Sequence, residues 1–205
     1  MIRYSTIQKE GQAELIIEKS RFIGYVKPVE SREEADAFIK EIRARHRDAT
    51  HNVPAFVIGE KFQQQWASDD GEPQGTSGVP MLQMMVKEGI TNVVVVVTRY
   101  FGGIKLGTGG LVRAYTNTAK AALEDAGIHQ VKDQTVIVAS MDYTYLGKLQ
   151  NAEKDGYFTI ADTAFTDVIT VTLHSEPEDA DRVKGFLSEL TGGKYILVDQ
   201  LETLV

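Results

Sequence analysis

A glycine-rich segment at residues 98–115 contains the residue types that bind anions in proteins. It reads TRYFGGIKLGTGGLVRAY and lies between a run of five valines and an alanine-rich helical pattern. Its glycines let the backbone approach a partner closely, and they are Gly102, Gly103, Gly107, Gly109 and Gly110. Its cations are Arg99, Lys105 and Arg113. Because N–H groups at a helix start attract negative charge, the segment predicts a site for an anion such as phosphate.

An acidic loop at residues 68–80 is the second candidate, and it reads SDDGEPQGTSGVP. It contains three carboxylates within four positions, those of Asp69, Asp70 and Glu72. Such a group can hold a hard cation such as magnesium, or it can bond backbone amides and shape the loop. We favour the second interpretation and predict no metal site. We expect the loop to face the glycine-rich segment and to orient Arg99 or Arg113 through charge-assisted hydrogen bonds.

His51 is the third candidate, in the segment HRDATHN at residues 46–52. A histidine before a strand can act as a general base or contact a phosphate, although we favour a role in fixing the loop. The aromatic residues Trp66, Tyr100 and Phe101 can stack on bases, but their place beside strands favours the core. The cations Arg43, Arg45 and Arg47 suit the solvated end of a helix.

Several function classes are excluded by absent motifs. The glycine-rich segment matches neither G-x-x-x-x-G-K-[ST] nor G-x-G-x-x-G, and the chain has no G-x-S-x-G, so neither ATPase, dinucleotide binding nor serine-elbow hydrolysis follows. With no cysteine, disulfides, thiol nucleophiles and zinc–thiolate sites are excluded. No apolar run reaches the roughly 18 residues of a membrane span, and the N-terminal residues lack a signal peptide's apolar segment. We expect a cytoplasmic protein with no membrane partner.

The net charge of −7 is unevenly distributed over the 205 residues. Residues 131–205 carry six Lys or Arg against thirteen Asp or Glu, whereas residues 1–130 carry sixteen of each. This excludes a uniformly basic nucleic-acid binder. It leaves room for a local basic cleft in the first part, because phosphate affinity depends on where the cations lie.

The chain is long enough for two small domains, and its patterns predict α+β structure in both. In the first part, alternation and β-branched runs predict strands at Ala13–Glu18, Phe22–Val29, Val53–Ile58, Gln63–Ala67 and Thr91–Thr98. Helices are predicted after the capping box at Ser31, from Pro80, and over Leu111–Ala126.

The second part is predicted to follow the split-βαβ, ferredoxin-like plan β-α-β-β-α-β. Its predicted strands are Gln134–Met141, Tyr157–Ala161, Val168–Leu173 and Tyr195–Val198, and its predicted helices are Tyr145–Glu153 and Asp179–Leu190. We place the boundary between domains 1–130 and 131–205.

Four of these motifs together resemble the YigZ/IMPACT family, in its bacterial two-domain form. They are KSRF at residues 19–22, ATHN at 49–52, SDDGEPxGTSGxP at 68–80 and the glycine-rich segment. The resemblance covers roughly residues 15–125. This chain departs from the family pattern at Ser77, where alanine is as common, and at Val53-Pro54, where an aromatic residue or cysteine is common.

The resemblance implies a fold for each domain. The first would be similar to the second domain of ribosomal protein S5, and the second to the ferredoxin-like last domain of elongation factor G. Eukaryotic relatives regulate translation by competing for an activator of the amino-acid-starvation kinase. They carry a different extra domain, so that contact is not transferred to this chain. The resemblance brings no established reaction and no cofactor.

We therefore predict a non-catalytic protein that binds RNA or the ribosome and modulates translation, with a translation-related protein as a further partner. The five glycines and three cations would contact phosphate. The supporting loop residues would be His51, Asp69, Asp70, Glu72 and Thr76. Two alternatives stay open: a magnesium-dependent enzyme acting on a phosphorylated small molecule or nucleotide, and a protein-interaction module that uses the acidic second domain.

Overall fold

The computed structural model describes residues 2–204. They form two compact units, one of residues 4–130 and one of residues 131–204 together with Ile2 and Arg3. Each unit combines helices with an antiparallel sheet, so the fold class is α+β, as predicted. The division between the units falls inside two strands, β1 (Ile2–Ile7) and β7 (Ile128–Met141).

The sheet of the first unit has five strands in the order β2-β3-β6-β4-β5, each antiparallel to its neighbours. These strands are β2 (Gly11–Ile17), β3 (Ser20–Pro28), β4 (His51–Ile58), β5 (Gln64–Ala67) and β6 (Val93–Tyr100). The central strand β6 pairs Arg99 with Phe22 on one side and with His51 on the other. Three motifs that are distant in sequence therefore meet at one end of β6.

Helices cover both faces of this sheet. They are α1 (Arg32–Arg45) on one face, and α2 (Gly78–Lys87) and α3 (Gly107–Ala126) on the other. Along β6, Val93, Val95 and Val97 pack with α2 and α3, whereas Val94 and Val96 pack with α1. All five valines are fully buried. Because both faces are covered, the strand reads as an unbroken apolar run instead of an alternating one.

The second unit has the element order β7, α4, β8, β9, α5, β10, which is the predicted β-α-β-β-α-β order. The elements after β7 are α4 (Leu146–Ala152), β8 (Thr159–Phe165), β9 (Ile169–Ser175), α5 (Ala180–Thr191) and β10 (Ile196–Leu204). The strands β10, β7, β9 and β8 lie side by side in that order, each antiparallel to the next. Its core joins Ile137 and Leu173 of the sheet to Leu149 of α4 and Leu187 of α5.

Several predicted boundaries are wrong, and β1 was not predicted at all. The strand expected at Thr91–Thr98 runs two residues later, because Asn92 turns into the left-handed region (φ +56°) and its Oδ1 accepts a hydrogen bond from the N–H of Gly59. The helix α3 begins at Gly107, four residues before the expected Leu111. Glycine disfavours a helix intrinsically, so the pattern alone placed the start too late. The last strand continues to Leu204, beyond the expected Val198.

Candidate anion-binding site

The acidic loop meets the glycine-rich segment through a buried ion pair. Nη1 of Arg99, near the end of β6, donates a hydrogen bond to Oε1 of Glu72 over 2.7 Å. Arg99 is 5% exposed and Glu72 is 8% exposed. The expected orientation of Arg99 by a carboxylate of this loop is therefore present, and it takes place out of contact with bulk water.

The guanidinium of Arg99 has further neighbours. Its Nη2 donates to Oγ of Ser20 over 3.3 Å, and its centre lies 5.2 Å from the ring of Phe101 and 5.3 Å from the ring of Phe22. Aromatic faces attract a cation, so both rings stabilise the buried charge. Within residues 2–204 its Nε has no hydrogen-bond partner. One donor of a buried cation is thus left without an acceptor.

Glu72 joins this ion pair to two more side chains. Its Oε1 also accepts a hydrogen bond from the hydroxyl of Tyr115 over 2.7 Å, and its Oε2 lies 3.7 Å from Nε2 of His51. Burial, with the Glu72 carboxylate as the second cause, raises the pKa of Tyr115 far above its usual value, so the hydroxyl remains a donor. His51 Nδ1 lies 2.8 Å from the carbonyl oxygen of Asp70. Since a carbonyl only accepts, Nδ1 carries the proton.

Asp69 shapes the acidic loop and holds the start of α2. Its Oδ1 accepts hydrogen bonds from the N–H and Oγ of Ser77 and from the N–H of Gly78, and its Oδ2 accepts one from the N–H of Gly75. Burial acts to raise the pKa of Asp69, but these hydrogen bonds outweigh it and hold the pKa below its usual value. Thr76, another expected loop residue, donates through Oγ1 to the carbonyl oxygen of Pro73 over 2.6 Å.

Asp70 also bonds within the protein. Its Oδ2 accepts the N–H of Asn52 over 2.7 Å, and its Oδ1 lies 2.8 Å from Nη2 of Arg43. One member of the predicted solvated cluster at the end of α1 therefore has a partner in the acidic loop. Asp69 thus bonds within the loop and at the start of α2, whereas Asp70 connects the loop to β4 and α1.

The other two cations of the glycine-rich segment have a different environment. Lys105 and Arg113 are exposed, and neither forms an ion pair with any residue that the structure describes. The alternative pairing of Arg113 with the acidic loop is not found. We call these two residues the basic strip, because Lys105 and Arg113 line one shallow pocket of about 430 Å³ along α3.

The glycines of the glycine-rich segment differ in whether the fold requires a glycine at their position. At Gly102 a methyl group would lie 2.0 Å from the backbone of Lys19, and the N–H of Gly102 donates to Oγ of Ser20. This glycine is needed by the fold itself. Gly103 and Gly107 have φ values of +86° and +71°, which other residues rarely adopt. At Gly109 the backbone has a negative φ and nothing lies within 4 Å of an added methyl group, so no contact of the fold requires a glycine there.

The start of α3 offers free backbone donors. Its N-cap residue, Leu106, provides no side-chain hydrogen bond, and the first turn contains no acidic residue. A helix of 20 residues has four N–H groups in its first turn without helical partners, at the positive end of its dipole. An anion is the group that satisfies both the donors and the dipole.

A pocket of about 440 Å³ lies between these groups, and we call it the Arg99 pocket. Its polar lining consists of Thr50, His51, Glu72, Arg99, Lys105 and Thr108. The structure thus brings the end of β6, the start of β4, the acidic loop and the start of α3 together around one cavity. The other candidate residues lie outside its lining: Arg113 is on the adjacent strip, and Asp69 and Asp70 support the loop.

Three residues of the site were not predicted in their roles. Phe101 was expected in the core but is 45% exposed at the mouth of the Arg99 pocket. Ser20 and Tyr115 stood inside recognised motifs, yet no sequence signal assigned their hydroxyl groups to Arg99 and Glu72. Trp66 and Tyr100, which were also expected in the core, are half-buried and pack against it, and the ring of Trp66 stacks on Phe56 at 5.6 Å.

Two further findings concern ligands and membranes. Across residues 2–204, no three His, Asp or Glu side chains converge as they would around a metal ion. The helices in the described part of the chain include none that is long and apolar enough to cross a membrane.

Comparison with known proteins identifies the family. A family model described as the Impact N-terminal domain matches residues 18–123, and one described as a domain of unknown function, DUF1949, matches residues 140–194. The Bacillus subtilis IMPACT family member YvyE is 41% identical over 191 residues, which cover 93% of this chain and 88% of that protein. The Escherichia coli IMPACT family member YigZ is 42% identical over 132 residues, 63% of this chain and 65% of its own length.

A solved structure with this architecture is also known. A crystal structure described as that of a hypothetical protein covers 95% of this chain and 95% of its own, with 30% identity and a TM-score of 0.59. Together with the family models and the two relatives, it accounts for both units of the fold. The chain belongs to the IMPACT family.

Proposed function

We propose that this protein binds RNA, as it is presented on the ribosome, through the basic strip and the start of α3, and that it modulates translation without catalysis of its own. The observation that carries the proposal is the pair of exposed cations Lys105 and Arg113, which form no ion pair within residues 2–204 and lie next to a helix start with free N–H groups. Cations without intramolecular partners are free to replace counterions on phosphates.

The charge distribution supports a local contact rather than a general one. The excess negative charge lies in residues 131–205, while residues 1–130 carry equal numbers of each sign. In the first unit Arg99 and Arg43 already have carboxylate partners, whereas the two cations of the strip share their pocket with one carboxylate, that of Glu18, and keep a net positive charge there. Binding is therefore expected to fall with salt, by roughly 0.7 in the slope of log affinity against log salt for each phosphate contact.

The translation part of the proposal rests on the family resemblance, as do two finer fold assignments. We take residues 1–130 as an IMPACT-type domain similar to the second domain of ribosomal protein S5. We take residues 131–205 as a ferredoxin-like domain similar to the last domain of elongation factor G. The strand order β10-β7-β9-β8 with two helices supports the second assignment, since it follows the split-βαβ plan. A translation-related protein remains a further proposed partner.

Co-sedimentation with ribosomes at low and high salt tests the proposal. The variant Lys105→Glu/Arg113→Glu reverses both cations of the strip, and both positions are exposed, so the fold is expected to persist. The matched control Lys40→Glu/Lys87→Glu reverses two exposed lysines of α1 and α2 that line no pocket described above. Arg99 is unsuitable for charge reversal, because a glutamate there would face buried Glu72.

We expect the native protein and the control to pellet with ribosomes at low salt, and the strip variant to stay in solution. With single-stranded RNA in place of ribosomes, the slope of log affinity against log salt should fall by roughly 0.7 for each phosphate contact that is lost. Equal pelleting of the strip variant and the native protein would refute the proposed interface. A failure of the native protein to bind ribosomes and RNA would refute the function.

A further inference from the structure

The Arg99 pocket differs from the basic strip in one property that decides what it can bind. One of its two cations, Arg99, is 95% buried, whereas both cations of the strip, Lys105 and Arg113, are exposed. A phosphodiester within an RNA strand is flanked by a nucleotide on each side and lies on the protein surface. A group that enters a pocket must project from its parent molecule through a single bond. A terminal phosphomonoester has that shape.

We propose that the Arg99 pocket binds the terminal phosphomonoester of a nucleotide, either at the end of an RNA chain or in a free mononucleotide. This inference rests on the proposed function, since it names the part of the RNA that the first unit selects. The cavity of about 440 Å³ lies within the range that holds small ligands in proteins.

The charges of the pocket suit such a group. Arg99 and Lys105 contribute two positive charges to the lining, against the single negative charge of Glu72. The Arg99–Glu72 ion pair cancels one charge of each sign, so these three groups leave a net charge of +1, which Lys105 supplies. A phosphomonoester carries nearly two negative charges near neutral pH and a phosphodiester carries one. The monoester therefore gains more from the same cations.

The hydrogen-bond donors point to the same ligand. The Nε of Arg99 is fully buried and has no partner among the residues described, so it adds a cost to the buried guanidinium but is not itself open to a ligand in the pocket. The first turn of α3, at Gly107 and Thr108, adds backbone N–H groups at the pocket wall. A terminal phosphate brings three acceptor oxygens to this ring of donors.

Phe101 extends the site beyond the phosphate. Its ring is 45% exposed at the pocket, and its position is fixed by the Arg99 guanidinium 5.2 Å away and by the hydrogen bond from its N–H to Oγ1 of Thr50. An exposed aromatic face next to a phosphate site is a stacking surface for a base of any identity. The end of the chain would thus be read without sequence preference.

The test compares one short RNA sequence in three forms: with a 5′-phosphate, with a 3′-phosphate, and with hydroxyl groups at both ends. Adenosine monophosphate and inorganic phosphate are added as small probes, and affinities are measured by fluorescence anisotropy and calorimetry. We expect a phosphate on one end to increase the affinity about tenfold or more. A gain of this size corresponds to the free energy of one hydrogen bond to a charged group. Adenosine monophosphate should compete with that end.

Variants separate the pocket from the strip. Thr108→Glu places a carboxylate at the exposed first turn of α3, where an acid stabilises a helix, but it repels a phosphate in the pocket. It should abolish the preference for a phosphorylated end. Arg113→Gln should weaken all three RNAs equally and keep the preference. Gln83→Glu adds the same charge to an exposed position on α2 and should change neither property.

The outcomes distinguish this inference from the proposed function. Equal, salt-dependent binding of all three RNAs would overturn the inference and leave the function standing. Binding of adenosine monophosphate without binding of any RNA would support the pocket and refute RNA as the partner. No binding of any nucleotide, or binding of inorganic phosphate alone with no gain from the nucleoside, would overturn the inference.

Discussion

The carboxylate of Glu72 and the guanidinium of Arg99 form an ion pair of 2.7 Å in which both side chains are almost wholly buried. The pair joins the acidic loop to the central strand of the first sheet. The same Glu72 oxygen accepts from Tyr115 of α3, so one carboxylate connects a loop, a strand and a helix. The wall of the Arg99 pocket therefore depends on this pair.

Glu72→Gln should destabilise the first unit strongly. The substitution preserves shape but leaves the buried Arg99 without a counter-charge, and removal of one partner from a buried ion pair costs about 3–5 kcal/mol. Urea unfolding followed by circular dichroism measures the change. The matched control is Glu88→Gln, which breaks the exposed pair between Glu88 and Lys120. The control should unfold like the native protein, and equal effects of the two variants would contradict the prediction.

Gly102→Ala and Gly109→Ala should have opposite effects although both lie in the glycine-rich segment. At Gly102 a methyl would overlap the backbone of Lys19, so the turn between β2 and β3 must shift, and overpacking of this kind costs about 1–3 kcal/mol. At Gly109 the methyl meets nothing, and alanine favours the helix by up to about 1 kcal/mol. Thermal unfolding of both variants provides the test. A loss of stability in Gly109→Ala would contradict the prediction, because it would mean that the added methyl group meets an unfavourable contact.

Asp69→Ala should destabilise the acidic loop by about 1–3 kcal/mol, because it leaves the N–H groups of Gly75, Ser77 and Gly78 without an acceptor. Ser77→Ala removes only the hydroxyl that donates to Asp69 and should cost about 0.5–1.5 kcal/mol. Chemical unfolding compares the two. If Ser77→Ala proves the more harmful, the helix cap proposed for Asp69 is refuted.

The pKa of Asp69 adds a pH dependence to the same contact. A carboxyl whose pKa is lowered in the folded state binds fewer protons there than in the unfolded chain. Its contribution is therefore complete above its ordinary value of 3.8 and is lost as pH falls through the lower, folded value. In Asp69→Asn the acid-induced loss of stability between pH 4 and pH 2 should be smaller than in the native protein.

Local patterns predicted the helices and strands because the burial of each face of an element determines where apolar residues occur along it. The valines of β6 indicated a strand buried on both faces, and the capping box at Ser31 is present, with its Oγ accepting the N–H of Glu34. The acidic loop and the glycine-rich segment were expected to face each other because their charges are complementary. These inferences depend on residues that are close in sequence or on charges of opposite sign, and the sequence alone shows both.

The contacts that build the pocket could not be predicted in this way. Ser20 bonds Arg99 and Gly102 from 79 and 82 residues away, and Tyr115 bonds Glu72 across 43 residues. A serine, a glycine and a tyrosine carry no charge that would pair them in a sequence. Only the strand order places them together, so the exposure of Phe101 and the burial of Arg99 also followed from the fold.

His46 should make stability fall on mild acidification. Its ring is held between two hydroxyl groups, with Nε2 at 2.7 Å from Tyr25 and Nδ1 at 2.8 Å from Tyr100. The Tyr100 hydroxyl donates to Asp48, so it accepts from Nδ1–H, and Nε2 accepts from Tyr25. This arrangement suits the neutral ring. Burial, together with the charge of Arg45, lowers the pKa of His46 below its ordinary 6.5.

The sign of the effect follows from that shift. Between the lowered folded pKa and 6.5 the unfolded chain binds more protons at His46 than the folded one, so the free energy of unfolding decreases as pH falls below about 6.5. Urea unfolding at a series of pH values from 8 to 5 should show this slope in the native protein. His46→Gln should flatten it. Identical slopes in the native protein and in His46→Gln would show that another group titrates. Only a group whose proton affinity changes on unfolding makes the free energy of unfolding depend on pH.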